Sequence, residues 1–208
     1  MKLLGMLDSP YVRRVAVALQ LMGVPFEHRS LSVFRGYAQF REINPVVKAP
    51  TLLLDDGTVL MDSTLILQYA AALAPRSLLP TEPAALAHEL RLSGLVLAAC
   101  EKAVQIVYEH GVRPPEKVHQ PWMDRVHEQL RAALGALEDE LTRRPLDSAA
   151  LTQAGLCIAV VWTFIQDLVP GSAPAAEFPV IGAFTAACEA RPEFRAAPHG
   201  DGTYPVAA

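Results

Sequence analysis

Two short segments place a hydroxyl where a helix begins. Asp8-Ser9-Pro10 follows the short apolar run from Lys2 to Met6, and Asp62-Ser63-Thr64 follows Val59 to Met61. Pro10 suits the first helical position, and Ser9 suits the cap before it. A helix N-terminus offers unpaired N–H groups and the positive end of the helix dipole, and both favour an anion. By local sequence alone Ser9 reads first as an ordinary helix cap, and Asp62-Ser63 reads equally as a cap or an anion site. Between them lies Lys48-Ala49-Pro50, a cation beside an X–Pro bond. Lys48 by itself reads as a solvated surface lysine. The three cysteines, Cys100, Cys157 and Cys188, are far apart and sit among apolar neighbours. None has metal-ligand or C-x-x-C spacing, so they read as buried free thiols in a reducing compartment, and no metal site is expected.

The elements that must position these residues are limited by length and composition. A chain of 208 residues makes one large domain or two small ones. Hydrophobic residues are 51% and charged residues 19%, which is a globular composition. A net charge of -4 and a pI near 5.9 argue against nucleic acid, whose binding needs a basic face. Asp8, Arg13 and Arg14 interrupt the N-terminal apolar run, so it does not read as a secretory signal. The most apolar stretch, Ala154 to Ile165, is shorter than the roughly 20 residues that span a bilayer. It predicts a buried helix, and no membrane association is expected.

Periodicity gives the order of elements. Val12, Val15, Ala16, Leu19 and Met22 recur at helical spacing, and Gly23 supplies the left-handed end. Phe26 to Leu31 predicts a second strand, Tyr37 to Ile43 a short irregular helix, and Thr51 to Leu54 a third strand. Asp55-Asp56-Gly57-Thr58 is a hairpin turn leading into Val59 to Met61. A helix then runs to Leu73, with Leu65, Ile66, Tyr69 and Ala70 as its apolar residues. Prolines punctuate Ala74 to Pro83 as a linker. Long helices follow over Ala84 to His110 and Glu116 to Arg143, the latter with a Val126, Leu130, Leu134, Leu137, Leu141 stripe. Thr152 to Leu168 and Phe178 to Ala190 complete an all-helical second half. Arg13 and Arg14 read first as surface charges, although either could raise the local positive potential.

This order of elements resembles the glutathione S-transferases along nearly the whole chain. Ser9-Pro10-Tyr11-Val12-Arg13-Arg14-Val15 is similar to the first helix start of the serine-type classes. Asn44-Pro45-Val46-Val47-Lys48-Ala49-Pro50-Thr51-Leu52 resembles the family's N-P-x-x-K-V-P-x-L segment, and Asp62-Ser63-Thr64-Leu65-Ile66 its E-S-x-x-I segment. Phe178-Pro179 and Arg191-Pro192-Glu193-Phe194 match its usual ending. The resemblance implies a thioredoxin-like α/β domain over residues 1–79 and an all-α helical domain over 84–208.

The resemblance also implies site roles. Ser9 would activate the thiol of glutathione, the co-substrate, with no other cofactor. The backbone of Ala49, exposed by a cis bond to Pro50, would pair with the cysteinyl unit. Asp62 and Ser63 would hold the γ-glutamyl ammonium and carboxylate, and Lys48 the glycyl carboxylate. A pocket for small apolar electrophiles would lie between the domains, with Tyr11 and Tyr108 as candidates, although core packing is the first reading of Tyr108 and Trp162. The outcome is conjugation, or alternatively isomerisation, peroxide reduction or dehalogenation, or non-catalytic binding on the same fold. A cytoplasmic homodimer is the expected form. One departure stands out: the buried helix begins Thr152-Gln153-Ala154-Gly155, where the family has a Ser/Thr-x-x-Asp capping box. Restoring Asp at position 155 is expected to raise the melting temperature.

Overall fold

The computed structural model describes residues 1–200. The described residues divide into two compact units: Met1–Leu78 with residues 190–200, and Leu79–Glu189.

The first unit is built on a four-stranded sheet of order β2-β1-β3-β4. β1 (Lys2–Leu4) pairs parallel to β2 (Glu27–Arg29), with Leu3 opposite His28. A parallel pair needs a crossover, and α1 (Pro10–Leu21) supplies it. β1 also pairs antiparallel to β3 (Thr51–Leu53), with Leu3 opposite Leu52. β3 turns into β4 (Val59–Met61) through the expected hairpin, where Gly57 has φ 88° and Thr58 N–H donates to Asp56 Oδ1 at 2.9 Å. α2 (Tyr37–Ile43) and α3 (Ser63–Leu73) complete this part. The core comprises Leu3, Leu4 and Leu52 of the sheet, Val12, Val15 and Leu19 of α1, and Ile66, Leu67 and Ala70 of α3. Leu65 instead faces solvent. This is the thioredoxin-like α/β topology.

The second unit is helical. α4 (Pro83–Gly111) contacts both α5 (Gln120–Arg143) and α6 (Gln153–Leu168), and α7 (Pro179–Glu189) lies on α5 and α6. The predicted stripe of α5 is buried, and α6 is buried on nearly every side. α5 starts later than the sequence predicts. Pro121 has no N–H to donate, so it belongs in a first turn; Pro115–Lys117 forms a separate 3₁₀ turn before it. All three cysteines are buried, and none forms a disulfide. Among the described residues no single helix is long and apolar enough to cross a membrane.

The second predicted domain ran to residue 208, but the chain rejoins the first unit at Ala190. A short helix not expected from sequence, α8 (Pro192–Ala196), packs on α1 there, with Phe194 fully buried. That return corrects the reading of Arg13 and Arg14, each only 1% exposed. α1 is flanked by both α3 and α8, so it keeps no solvated face. Arg13 Nε donates to the Ala197 carbonyl at 2.8 Å, and its guanidinium lies 5.7 Å from the Phe194 ring centroid. Arg14 turns towards α3 instead.

Candidate functional site

Ser9 caps α1 from extended backbone (φ -74°, ψ 122°), with Pro10 at the first helical position. Its Oγ accepts from the Val12 N–H at 3.4 Å. An oxygen that accepts from the helix leaves its own O–H to donate elsewhere. The loop carrying Ser9 is held by two histidines. His28 is 2% exposed, and its Nε2 lies 2.7 Å from the Gly5 carbonyl. Burial pushes the imidazole pKa below its usual value, while the carbonyl bond opposes this. A carbonyl only accepts, so Nε2 carries the proton. Nearer Ser9, His199 Nε2 reaches the Asp8 carbonyl at 3.2 Å.

Gly5 shows how the site is drawn together. It has φ 134°, which side-chain-bearing residues rarely adopt. A Cβ there would lie 2.5 Å from Val12 Cγ2 and 3.1 Å from Ala49 Cβ. The first turn of α1 and Ala49 therefore close on this one glycine. The Ala49–Pro50 bond is cis, as the resemblance implied. A polar clasp sets the loop before it. Asn44 Nδ2 donates to Thr51 Oγ1 at 2.8 Å, and Thr51 Oγ1 donates to the Lys48 carbonyl at 2.7 Å. Asn44 Oδ1 also accepts from the Val46 N–H at 3.0 Å. Inside this clasp Val47 adopts φ 53°, an outlier for a β-branched residue.

Asp62 caps α3 with φ 71°, again in the left-handed region, and its Oδ1 accepts from the Thr64 N–H at 2.9 Å. Lys48 Nζ is 3.6 Å from Asp62 Oδ2, both about half exposed. An exposed pair of this kind contributes only about 0–1 kcal/mol, so either partner is readily drawn to another ion. Ser63 is 2% exposed, and Arg14 Nη1 donates to its Oγ at 3.1 Å and to Thr64 Oγ1 at 3.3 Å.

Ser9, Ala49, Pro50, Lys48, Asp62 and Ser63 thus belong to one unit, joined by Gly5, by the Lys48–Asp62 pair and by Arg14. Tyr11 is half-buried in the first turn of α1. Tyr108 lies near the end of α4, in the other unit, and is 48% exposed. It is not a core residue, whereas Trp162 is buried against Phe178 with ring centroids 5.6 Å apart. The burial of Arg14 against Ser63, the close approach at Gly5 and the Asn44–Thr51 clasp were not expected from the sequence. Only Asn44 and Thr51 carried a signal, as polar residues bracketing the loop.

Residues 3–80 match the family model described as glutathione S-transferase, N-terminal domain. The chain is 28% identical over 178 residues to the uncharacterized GST-like protein YibF of Escherichia coli (strain K12), covering 82% of this chain and 86% of that one. It is 28% identical to glutathione S-transferase U1 of Arabidopsis thaliana, over 81% of this chain and 77% of the other. A glutathione transferase family member from Pseudomonas fluorescens Pf-5, solved with bound glutathione, superposes with a TM-score of 0.82. The two are 29% identical, over 94% of this chain and 97% of that one. Both units are spanned by these similarities, and the mixed sheet with its capped α1 and cis Ala49–Pro50 lies within the matched model. Residues 3–80 match a glutathione S-transferase N-terminal domain, and the chain is similar over most of its length to glutathione S-transferases.

Proposed function

We propose that this protein is a glutathione transferase in which Ser9 stabilises the glutathione thiolate for attack on small apolar electrophiles. The observation that carries this reading is the bonding of Ser9. Its oxygen is engaged by the Val12 N–H, and its hydroxyl proton is left to donate at the N-terminus of α1. The thiolate is the nucleophile, and a free thiol with a pKa near about 8.5 is mostly protonated at neutral pH. A hydrogen bond to a charged acceptor contributes about 1.5–3 kcal/mol, equivalent to about one to two pKa units. That keeps much of a bound thiol ionised. The bound thiol gives its proton to solvent and sulfur bonds to the electrophilic carbon; in a substitution the leaving group departs with its bonding pair, and in an addition the adjacent atom takes the displaced pair and a proton from solvent.

The rest of the site supports binding. The main chain of Ala49 offers strand-like bonds to the cysteinyl unit. Asp62 takes the γ-glutamyl ammonium, Ser63 and the α3 N-terminus take its carboxylate, and Lys48 takes the glycyl carboxylate. The family relation and the glutathione bound in the Pseudomonas neighbour favour this assignment. Tyr11 and Tyr108 remain the candidates for the electrophile site, and a cytoplasmic homodimer the proposed form. Serine cannot form a mixed disulfide, so little thiol transferase activity is expected; efficient deglutathionylation of a mixed disulfide would count against the reading.

The direct test is glutathione-dependent conjugation of 1-chloro-2,4-dinitrobenzene by wild type and Ser9→Ala, with glutathione binding measured in parallel. Turnover should fall about 10- to 100-fold in the variant, with binding retained. Full turnover in Ser9→Ala would reduce Ser9 to a helix cap. Neither turnover nor binding in the wild type would make non-catalytic binding of another partner the leading reading.

A further inference from the structure

We propose that Arg14 is the buried counter-charge for a carboxylate bound at the N-terminus of α3, acting through the hydroxyls of Ser63 and Thr64. The proposal rests on the glutathione reading, which makes that carboxylate the one on the γ-glutamyl unit, and adds a positioning residue to it.

Arg14 is 1% exposed, yet among the described residues no carboxylate pairs with it. Its Nη1 donates to two neutral oxygens, Ser63 Oγ and Thr64 Oγ1, and its Nε has no partner. A buried guanidinium normally pairs with an anion, because desolvation of an uncompensated charge is costly. Arg13, one residue earlier and just as buried, is matched differently, with a carbonyl and an aromatic face. Arg14 is aimed instead at the first turn of a helix whose backbone dipole also favours negative charge.

The two hydroxyls convert that charge into directed donors. Guanidinium has no acceptor, so both oxygens accept from it and their protons are left to point elsewhere. A carboxylate at the start of α3 would then meet O–H donors polarised by Arg14 from behind. The cation need not touch the ligand to act on it. Asp62 occupies the Thr64 N–H, so this end of the helix is already partly capped and the hydroxyls matter more. The guanidinium stays fixed because α1 and α3 pack directly.

The test compares glutathione with γ-aminobutyryl-cysteinylglycine, which lacks only the γ-glutamyl carboxylate. Wild type should prefer glutathione. Arg14→Met should weaken glutathione binding by about tenfold or more and leave the analogue's affinity unchanged, so that KM for glutathione rises more than kcat falls. Arg14→Lys keeps the charge but cannot span both oxygens, and should lose part of the preference. If Arg14→Met does not fold, Arg14→Lys carries the same comparison. Equal losses for both ligands would overturn the proposal and make Arg14 structural, with the glutathione reading intact. A wild type that binds neither ligand would overturn both together.

Discussion

At the scale of single residues, the role proposed for position 9 depends on which way a hydrogen bond runs. Ser9 accepts from Val12, so replacing it with alanine removes a cap from α1 and, with it, the proposed donor towards sulfur. The cap loss costs about 1 kcal/mol and lowers the melting temperature. Ser9→Thr keeps both functions, so its stability should return to the wild-type value; the melting temperatures of the three proteins separate cap from chemistry. Gly5 is less tolerant. Gly5→Ala places a methyl 2.5 Å from Val12 Cγ2 at a φ of 134°, so α1 or the Ala49 loop must move. That variant should lose several kcal/mol of stability, by comparison with about 1–3 kcal/mol for ordinary overpacking. Chemical denaturation would show the loss, and unchanged stability would contradict the close approach. These residues differed in legibility. Ser9, Asp62 and Ser63 stand at element edges, where caps and prolines announce themselves. The burial of Arg14 did not, because its partner Ser63 lies 49 residues away and nothing local marks α1 as covered on both flanks.

At the scale of elements, carboxylates from neighbouring helices cap the helical unit. Glu138 of α5 accepts from the Val180 and Ile181 N–H groups at 2.7 and 2.9 Å, at the start of α7. Glu89 of α4 is 4% exposed and accepts from the Ala154 N–H at 2.5 Å, at the start of α6. Thr152 still caps α6, accepting from Gly155 at 3.2 Å. Glu89 therefore supplies from another helix the carboxylate missing at position 155. This reverses the expectation for Gly155→Asp. A Cβ there meets Leu151 and Phe184 at 3.4 Å, and a second carboxylate would crowd Glu89. Gly155→Asp should lower the melting temperature, and less so in a Glu89→Gln background. Glu89→Ala should cost about 1–3 kcal/mol by orphaning a buried donor. Burial raises the Glu89 pKa, against the opposing bonds from Ala154 and Thr152. The native state then holds its proton to higher pH than the unfolded chain does. This group's contribution falls as pH rises from the unfolded value through the raised native one. Glu89→Gln should remove that component, so the wild-type minus variant stability difference should decline over that window. A flat difference would contradict the raised value. Helix positions were legible from periodicity, but caps delivered by 65 residues of sequence separation were not.

At the scale of the molecule, the stretch from Ala190 to His199 belongs with the first residues of the chain. From Ala190 the backbone rejoins the sheet-bearing unit, where Phe194 and the Ala197 carbonyl receive Arg13 and His199 reaches the loop before Ser9. Phe194→Ala should cost about 3–5 kcal/mol. Hydrogen exchange should show the loss in α1 and β1 rather than in α5 and α6. Protection lost evenly across both units would contradict the assignment of this segment to the first. The two-part architecture was legible from the proline-rich linker and the change of period after it. The return was not, because Arg191-Pro192-Glu193-Phe194 reads as a short chain ending with no local sign of what it packs on.

Serine-assisted thiolate formation is tested most directly by the ionisation of protein-bound glutathione. Its thiolate absorbance would be titrated against pH for wild type and Ser9→Ala under saturating conditions. The bound thiol in wild type should titrate below free glutathione, and in Ser9→Ala about one to two units higher than in wild type. Identical curves for the two proteins would contradict serine-assisted thiolate formation.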